Sequence, residues 1–162
     1  MSLDTFLDAL RFQESSHSDN PADGDNGNAY GPYQMWAIMV KECNDMCGTN
    51  YTHEDARDPE KAHDMATKLM GAFTKYLKGR GSQPTMNNLL MMWNGGRVAY
   101  RYNEMDPKDI PNYDAEKHAN LDEYVRKFRE EKLPYVQKLR EGQQQSEQPS
   151  QTNSQPTKEE DK

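Results

Sequence analysis

The sequence predicts a mainly α-helical domain with one small hairpin-like loop after its first helix. Apolar residues recur at helical spacing in successive stretches, and helix start and stop signals bracket those stretches. Between the first two stretches, residues 15–33 are rich in turn-forming pairs, which favour a loop or a small irregular hairpin. These pairs are Asn20-Pro21, Asp23-Gly24 and Asn26-Gly27.

The first predicted helix ends on a glutamate. Ser2 is a suitable N-cap, because its hydroxyl can accept a hydrogen bond from the first turn. One face of this helix is apolar, and continuing that face by four residues from its last member reaches Glu14. Glu14 is therefore predicted at the end of the core-facing side of the helix. The apolar face consists of Leu3, Phe6, Leu7 and Leu10.

Two further helices are predicted in the middle of the chain. One covers residues 33–46 and is closed by Gly48, a typical C-terminal residue for a helix. The next follows Asp58-Pro59, which combines an N-cap with a proline at the first helical position. Its apolar face continues until the glycine-rich residues 79–81, where we expect the helix to end.

The last predicted helices are separated by a long segment. A helix opens after Pro84-Thr85 and ends at residues 94–96, Asn-Gly-Gly. Residues 97–120 have a mixed pattern and predict a surface segment. A final helix begins at Leu121 and is expected to break at Pro134 before resuming, because proline removes a helical hydrogen bond.

Composition divides the chain into a domain and a tail. Hydrophobic residues make up only 33% of the chain, and its mean hydropathy is −1.19. From residue 142 onward there is no aliphatic or aromatic side chain, so this part cannot bury enough apolar surface to offset the entropy of ordering it. We predict one compact domain over residues 1–141 and a disordered polar tail over residues 142–162.

Charge and cysteine content exclude several classes of function. The net charge is −7 and no Lys- or Arg-rich patch stands out, so no nucleic-acid partner is predicted. Cys43 and Cys47 have no second pair, which favours free thiols in a reducing compartment over a metal site. The N-terminus lacks the features of a signal peptide, and no apolar run is long enough to span a membrane. Synthesis in the cytoplasm without a signal peptide is therefore expected.

Glu14 is a candidate general acid. A free glutamate with a pKa of about 4.3 is a poor proton donor at neutral pH, whereas burial beside apolar groups raises the pKa. The end of an apolar helix face would supply such an environment, with Phe12 and the tryptophans Trp36 and Trp93 as neighbours. Position alone, however, favours a glutamate half exposed at a helix end.

The following loop offers three carboxylates that could face Glu14: Asp19, Asp23 and Asp25. A pair about 5–5.5 Å apart would suit a retaining glycosidase, and about 6.5–9.5 Å would leave room for an attacking water. Turn formation is the better explanation of Asp23. For Asp25, turn formation and a role in chemistry remain open alternatives.

Three motifs in order resemble the lysozyme-like superfamily of enzymes that cleave peptidoglycan. Glu14-Ser15 and the loop GDNGNAYGPYQM at residues 24–35 are similar to the helix end and loop of goose-type lysozymes. The Gly-Pro-Tyr-Gln element and Asn-Gly-Gly at residues 94–96 resemble invertebrate-type lysozymes and their bacterial and phage relatives. Lytic transglycosylases share a similar start and loop. The resemblance covers roughly residues 3–96 and implies an α+β lysozyme-like fold with an active-site cleft between lobes.

The resemblance implies a role for each matching residue. Glu14 matches the general acid and Asp25 matches the loop aspartate, while Gln34 matches a glutamine near the bound sugar and Asn94 a residue on the opposite wall. Two positions depart from the pattern. The second aspartate of the goose-type loop would fall near Trp36, so this sequence lacks that carboxylate. Arg97 follows Asn-Gly-Gly where the relatives commonly have proline.

Aromatic residues add candidates for substrate binding. Tyr124 begins a YVRKF run similar to one in lytic transglycosylases, where the tyrosine lies close to the acid; a core position at helical spacing is an equal alternative. Tyr30 and Tyr33 could stack on sugar rings, whereas Trp36 and Trp93 are better explained as core. The loop acids with His17 do not match an EF-hand, so neither a metal nor a cofactor is predicted.

The motifs together predict a muramidase that cleaves the β-1,4 bond between N-acetylmuramic acid and N-acetylglucosamine. One alternative is a lytic transglycosylase that forms 1,6-anhydro products, and another is a catalytically inactive structural or binding protein. The predicted partners are peptidoglycan glycan strands, with no nucleic acid and no membrane span. A chain of this size without a signal peptide would act after holin-dependent release or as part of a phage particle.

Overall fold

The computed structural model describes residues 1–147 of the 162-residue chain. The prediction of a mainly α-helical protein is confirmed, since that range contains helices and almost no strand. The helices are α1 (Leu3–Ser15), α2 (Ala37–Cys47), α3 (Pro59–Gly79), α4 (Met86–Gly95), α5 (Arg101–Glu104), α6 (Ala115–Lys127) and α7 (Leu133–Ser146).

The core is built around α3, which buries one complete face. That face meets α1, α2 and α4, so the longest helix of the described chain contacts three others. Asp58 accepts hydrogen bonds from the backbone of Glu60 and Lys61, and Pro59 occupies the first turn, as predicted. The buried residues of α3 are Ala62, Met65, Ala66, Leu69, Met70, Phe73 and Leu77.

The first helix delivers Glu14 to the edge of this core. The Ser2 side chain accepts a hydrogen bond from the Thr5 amide, which confirms the predicted cap. Phe6, Leu7 and Leu10 of the predicted apolar face are buried together with Ala9, whereas Leu3 in the first turn is exposed. The helix ends because Ser16 adopts a left-handed conformation, with φ of 53°. Glu14 thus lies in the last turn, where the chain changes direction.

The loop after α1 is hairpin-like but forms no strand. Two antiparallel bridges follow one another, Gly24 with Ala29 and Tyr30 with Met35. The predicted start of α2 at Tyr33 was wrong by four residues, because residues 31–35 form a tight turn. Gln34 has φ of 48° in this turn and its amide donates to the Gly31 carbonyl, so the helix begins only at Ala37.

The segment at residues 97–120 is more ordered than predicted. It contains α5 and the start of α6, and Ala99, Tyr100 and Ile110 are buried. Helix α6 begins at Ala115 and not at the predicted Leu121, because Asp114 caps it by accepting a hydrogen bond from the Lys117 amide. Because the first turn of α6 is polar, the spacing of apolar residues did not predict this start.

The predicted break at Pro134 is replaced by a wider helical turn. Residues 128–132 form a π-helical turn between α6 and α7, and Pro134 occupies the first turn of α7. A proline lacks the amide hydrogen and its ring collides with the carbonyl four residues earlier, and the wider turn relieves both problems. Phe128 remains fully buried, so the chain keeps its core contacts through the turn.

The first five residues of the predicted tail, 142–146, are helical. Helix α7 runs through Gly142 to Ser146, because adding residues to an existing helix costs little and glutamine is a good helix former. The rest of the predicted tail, residues 148–162, lies outside the described residues. Cys43 and Cys47 are free thiols, as predicted. No helix within residues 1–147 is long and apolar enough to cross a membrane.

Candidate active site

The Glu14 carboxyl is held by side chains from two other helices. Trp93 Nε1 on α4 donates to Glu14 Oε1 at 3.3 Å, and the Tyr124 hydroxyl on α6 donates to the same oxygen. Burial raises the pKa of Glu14 to about 7; the bonds from Tyr124 and Trp93 oppose this rise, and the charge of Asp25 adds to it. Glu14 is therefore an acid that keeps its proton close to neutral pH.

The contact between α1 and α6 is fixed next to this carboxyl. Gln13 Nε2 donates to the backbone oxygen of Tyr124 at 3.0 Å. Because Gln13 precedes Glu14 on α1, this bond sets how far Tyr124 stands from the carboxyl. The Tyr124 side chain packs against the core, as the alternative prediction held, and its hydroxyl also reaches Glu14.

Asp25 is held by an indole from across the loop. Trp36 Nε1 donates to Asp25 Oδ2 at 3.0 Å, and the Asn28 side chain donates to the Asp25 backbone oxygen at 2.9 Å. Asp25 and Asn26 both have positive φ, 49° and 56°, a conformation that Asp and Asn tolerate better than most residues. Asp25 therefore shapes the turn through its backbone while its carboxylate remains on the surface of the loop.

Gln34 holds the loop in shape. Its Nε2 donates to the Gly31 carbonyl at 3.0 Å and to the Ala22 carbonyl at 3.4 Å. The amide also lies over Gly24, where a Cβ atom would stand only 2.2 Å from Gln34 Oε1. A side chain at position 24 would therefore require the Gln34 amide to move from this place.

These side chains share one cavity of about 470 Å³, which we call the reaction cavity. Four of the predicted site residues line it, and they come from α1, from the loop and from the end of α4. A protonated carboxyl and a second carboxylate on one cavity are suited to general acid–base chemistry. The lining residues are Glu14, Asp25, Asn26, Asn28, Gln34, Trp36, Met39, Trp93 and Asn94.

The two predicted sugar-stacking tyrosines do not line the reaction cavity. Tyr33 is 1% exposed and its hydroxyl bonds to His63 Nδ1 at 2.9 Å, so it belongs to the core. Tyr30 is enclosed between His53, with ring centroids 3.6 Å apart, and the Arg57 guanidinium at 3.8 Å. Both predictions were wrong because residues distant in sequence hold these rings, and the local sequence does not show those contacts.

Both tryptophans were predicted as core residues, and the structure agrees for one of them only. Trp93 is 3% exposed, as expected of a core residue, yet its indole nitrogen still reaches Glu14. Trp36, also predicted as core, is 41% exposed and bonds to Asp25. Asn26, Asn28 and Met39 were not predicted as cavity residues; for the asparagines, the clustering of polar side chains around Asp25 was the available signal.

The acidic loop residues are used as ion pairs. Asp19 pairs with Arg11 and Asp23 pairs with Arg57, and the His17 ring lies 2.9 Å from the Asp8 carboxylate. Within residues 1–147, no group of three or more His, Cys, Asp or Glu side chains is arranged to hold a metal ion. Comparisons with protein-family models, with curated proteins and with solved structures give no match to this chain. Its function is therefore argued from the site.

Replacing Tyr124 with phenylalanine is expected to raise the pKa of Glu14 above its value of about 7. The hydroxyl donates to the carboxylate and so favours the charged form; without it, the proton is held to higher pH. The pKa is measured by following the Glu14 side-chain carboxyl carbon by NMR as a function of pH, with Glu14→Gln identifying the signal. An unchanged or lower pKa in Tyr124→Phe would contradict the role of this hydrogen bond.

Proposed function

We propose that this protein is a peptidoglycan muramidase with Glu14 as its general acid. The observation that carries the proposal is the Glu14 carboxyl, held by Trp93 and Tyr124 on the wall of a cavity that also contains Asp25. Burial raises the pKa of this carboxyl to about 7. Cleavage of a glycosidic bond requires a proton donor that is still protonated at neutral pH and a carboxylate near the developing positive charge. The lysozyme-like motifs at residues 14–15, 24–35 and 94–96 supply the substrate class.

The hydrogen bonds around Glu14 give the two oxygens of its carboxyl group different roles. Trp93 and Tyr124 both donate to Oε1, which leaves Oε2 to carry the proton. In the proposed mechanism Oε2 protonates the oxygen that bridges the two sugars. Asp25 stabilises the positive charge on the sugar or positions the attacking water, and the Trp36 indole keeps that carboxylate in place.

A lytic transglycosylase is the second candidate, and the contact between Tyr124 and Glu14 favours it. In that reaction Glu14 first donates its proton and then, as a base, removes one from the sugar hydroxyl that closes the 1,6-anhydro ring. Tyr124 would stabilise the carboxylate between the two steps by donating to it. This mechanism needs no second carboxylate, so Asp25 would serve the loop alone.

The released sugar ends test the proposal. Purified sacculi are digested with the protein in water enriched in oxygen-18, and the soluble fragments are analysed by mass spectrometry. A muramidase gives reducing muramic acid ends that contain one heavy oxygen. Fragments that carry only 1,6-anhydro ends would refute the muramidase proposal and support the transglycosylase. The absence of soluble fragments would contradict both proposals.

We further propose that the protein reaches the cell wall after release from the cytoplasm or as part of a virion. The resemblance of residues 31–35 and 94–96 to lysozymes of bacteria and phages motivates this proposal. With a net charge of −7, the protein would bind the glycan through its cavity and not through general attraction to an anionic wall. Glycan strands are the proposed partner in either case.

A further inference from the structure

A second cavity continues from the reaction cavity. It has a volume of about 650 Å³, within the range of about 300–1,000 Å³ that is typical of ligand sites. Trp36, Met39, Trp93 and Asn94 line both cavities, so the two are adjacent and share a wall. The second cavity is mainly apolar, with Leu69 among the side chains that line it. We call it the apolar cavity.

The apolar cavity has an arginine at its edge. Arg97 lines it, and 51% of the Arg97 side chain is exposed. The nearest carboxylate that the described residues offer belongs to Glu42, at 3.9 Å, which is beyond hydrogen-bond distance. The Arg97 guanidinium therefore keeps hydrogen-bonding capacity for an anion that enters the cavity.

We propose that the apolar cavity binds the lactyl-peptide stem of the muramic acid residue and that Arg97 pairs with a stem carboxylate. This inference rests on the proposed function, because only a muramic acid substrate brings such a stem to the site. It assigns a binding role to residues that the reaction itself does not use, such as Leu69 and Arg97. It also gives a role to Arg97, the position at which the sequence departs from the Asn-Gly-Gly-Pro pattern.

The chemistry of the stem matches the cavity. The stem leaves the same sugar whose glycosidic bond lies in the reaction cavity, so its first atoms must enter a neighbouring space. Those atoms carry the methyl groups of lactate and alanine, which suit walls formed by Trp36, Met39 and Leu69. The next residue of a common stem is D-glutamate, and its carboxylate is a hydrogen-bond partner for a guanidinium.

A third cavity is a poorer place for the stem. It measures about 250 Å³ and touches the reaction cavity at Asn94. Asp114 and Glu116 line it, opposed only by Lys117, so its net charge is negative. A carboxylate in that cavity would be repelled on balance, whereas in the apolar cavity Arg97 and Lys41 offset Glu42 and Asp45.

Two synthetic probes of equal size test the assignment. N-acetylmuramyl-L-alanyl-D-glutamate is compared with the same compound in which both glutamate carboxylates are amides. Neither contains the bond that a muramidase cleaves. Both tryptophans of the chain line the apolar cavity, so binding is followed by intrinsic fluorescence. The wild-type protein is expected to bind the diacid about tenfold more tightly, since a charge-assisted hydrogen bond is formed only with it.

Arg97→Gln is expected to remove this preference, and Arg80→Gln is the matched control. Arg80 and Arg97 both lie over the Tyr76 ring, at 5.0 and 5.3 Å, but only Arg97 lines the cavity. Equal binding of the two probes by wild-type protein, or equal effects of the two substitutions, would overturn the inference. Cleavage of sacculi without any probe preference refutes the stem site alone. A probe preference without cleavage refutes the muramidase and leaves the stem site standing.

Discussion

Glu14→Gln is expected to reduce the release of soluble fragments from purified sacculi by about a hundredfold to ten thousandfold. General acid catalysis contributes that much, and glutamine is similar in size but has no proton to donate. Trp93 and Tyr124 can still donate to the amide oxygen, so the geometry around position 14 is kept. The rate is measured from initial clearing of a sacculus suspension at pH 6, below the pKa of Glu14 of about 7.

The same substitution is expected to stabilise the protein at high pH. The pKa of Glu14 is raised from 4.5 to about 7 by burial, so the folded state binds its proton more tightly than the unfolded state. Wild-type protein therefore loses stability as the pH rises from about 4.5 to about 7, by up to about 3 kcal/mol. Glu14→Gln avoids this loss at pH 8 and gains nothing at pH 4, which urea denaturation at the two values measures.

Glu131→Gln is the control for this prediction. Glu131 is exposed on the turn between α6 and α7 and does not line the reaction cavity. The Glu131→Gln substitution removes one carboxyl group, as Glu14→Gln does, but at a distance from the reaction cavity. Unchanged lysis by Glu14→Gln would refute the muramidase and the transglycosylase together and would favour an inactive structural or binding module. A stability gain that is equal at pH 4 and pH 8 would contradict the raised pKa.

The helices of this protein could be predicted because their start and stop signals are local. Ser2, Asp58 and Thr85 each cap the helix that their sequence predicts, and Gly48 ends α2. A cap acts on amides within about one turn, so neighbouring residues are enough to identify it. The start of α6 was not predicted, because its cap, Asp114, precedes a polar turn that has no large apolar residue to mark the helix.

The residues of the candidate site could be predicted only where local spacing or motif order determines their position. Glu14 was predicted from the helical period and Asp25 and Gln34 from motif order, and all three line the reaction cavity. Which face of Trp36 meets water depends on contacts between parts of the chain that are distant in sequence. The same is true of Tyr30, which lies between His53 and Arg57 instead of lining the reaction cavity.

Gly31→Ala is expected to destabilise the protein by about 3 kcal/mol. Gly31 has φ of 73°, which costs a residue with a side chain about 1 kcal/mol. A Cβ atom would also stand 1.7 Å from the Ala56 carbonyl oxygen, an overlap with backbone that no side-chain rotation relieves. For a domain of this size the loss corresponds to a fall in Tm of about 10 °C, which calorimetry measures.

Gly81→Ala separates the two causes. Gly81 has nearly the same φ, 74°, but nothing lies within 4 Å of its added Cβ atom, so only the backbone cost of about 1 kcal/mol remains. Equal losses in the two variants would contradict the close contact at Gly31. Lysis should also respond to Gly31→Ala alone, because Gln34 bonds to the Gly31 carbonyl and lines the reaction cavity. Displacing that carbonyl therefore moves the loop that carries Asp25 relative to Glu14.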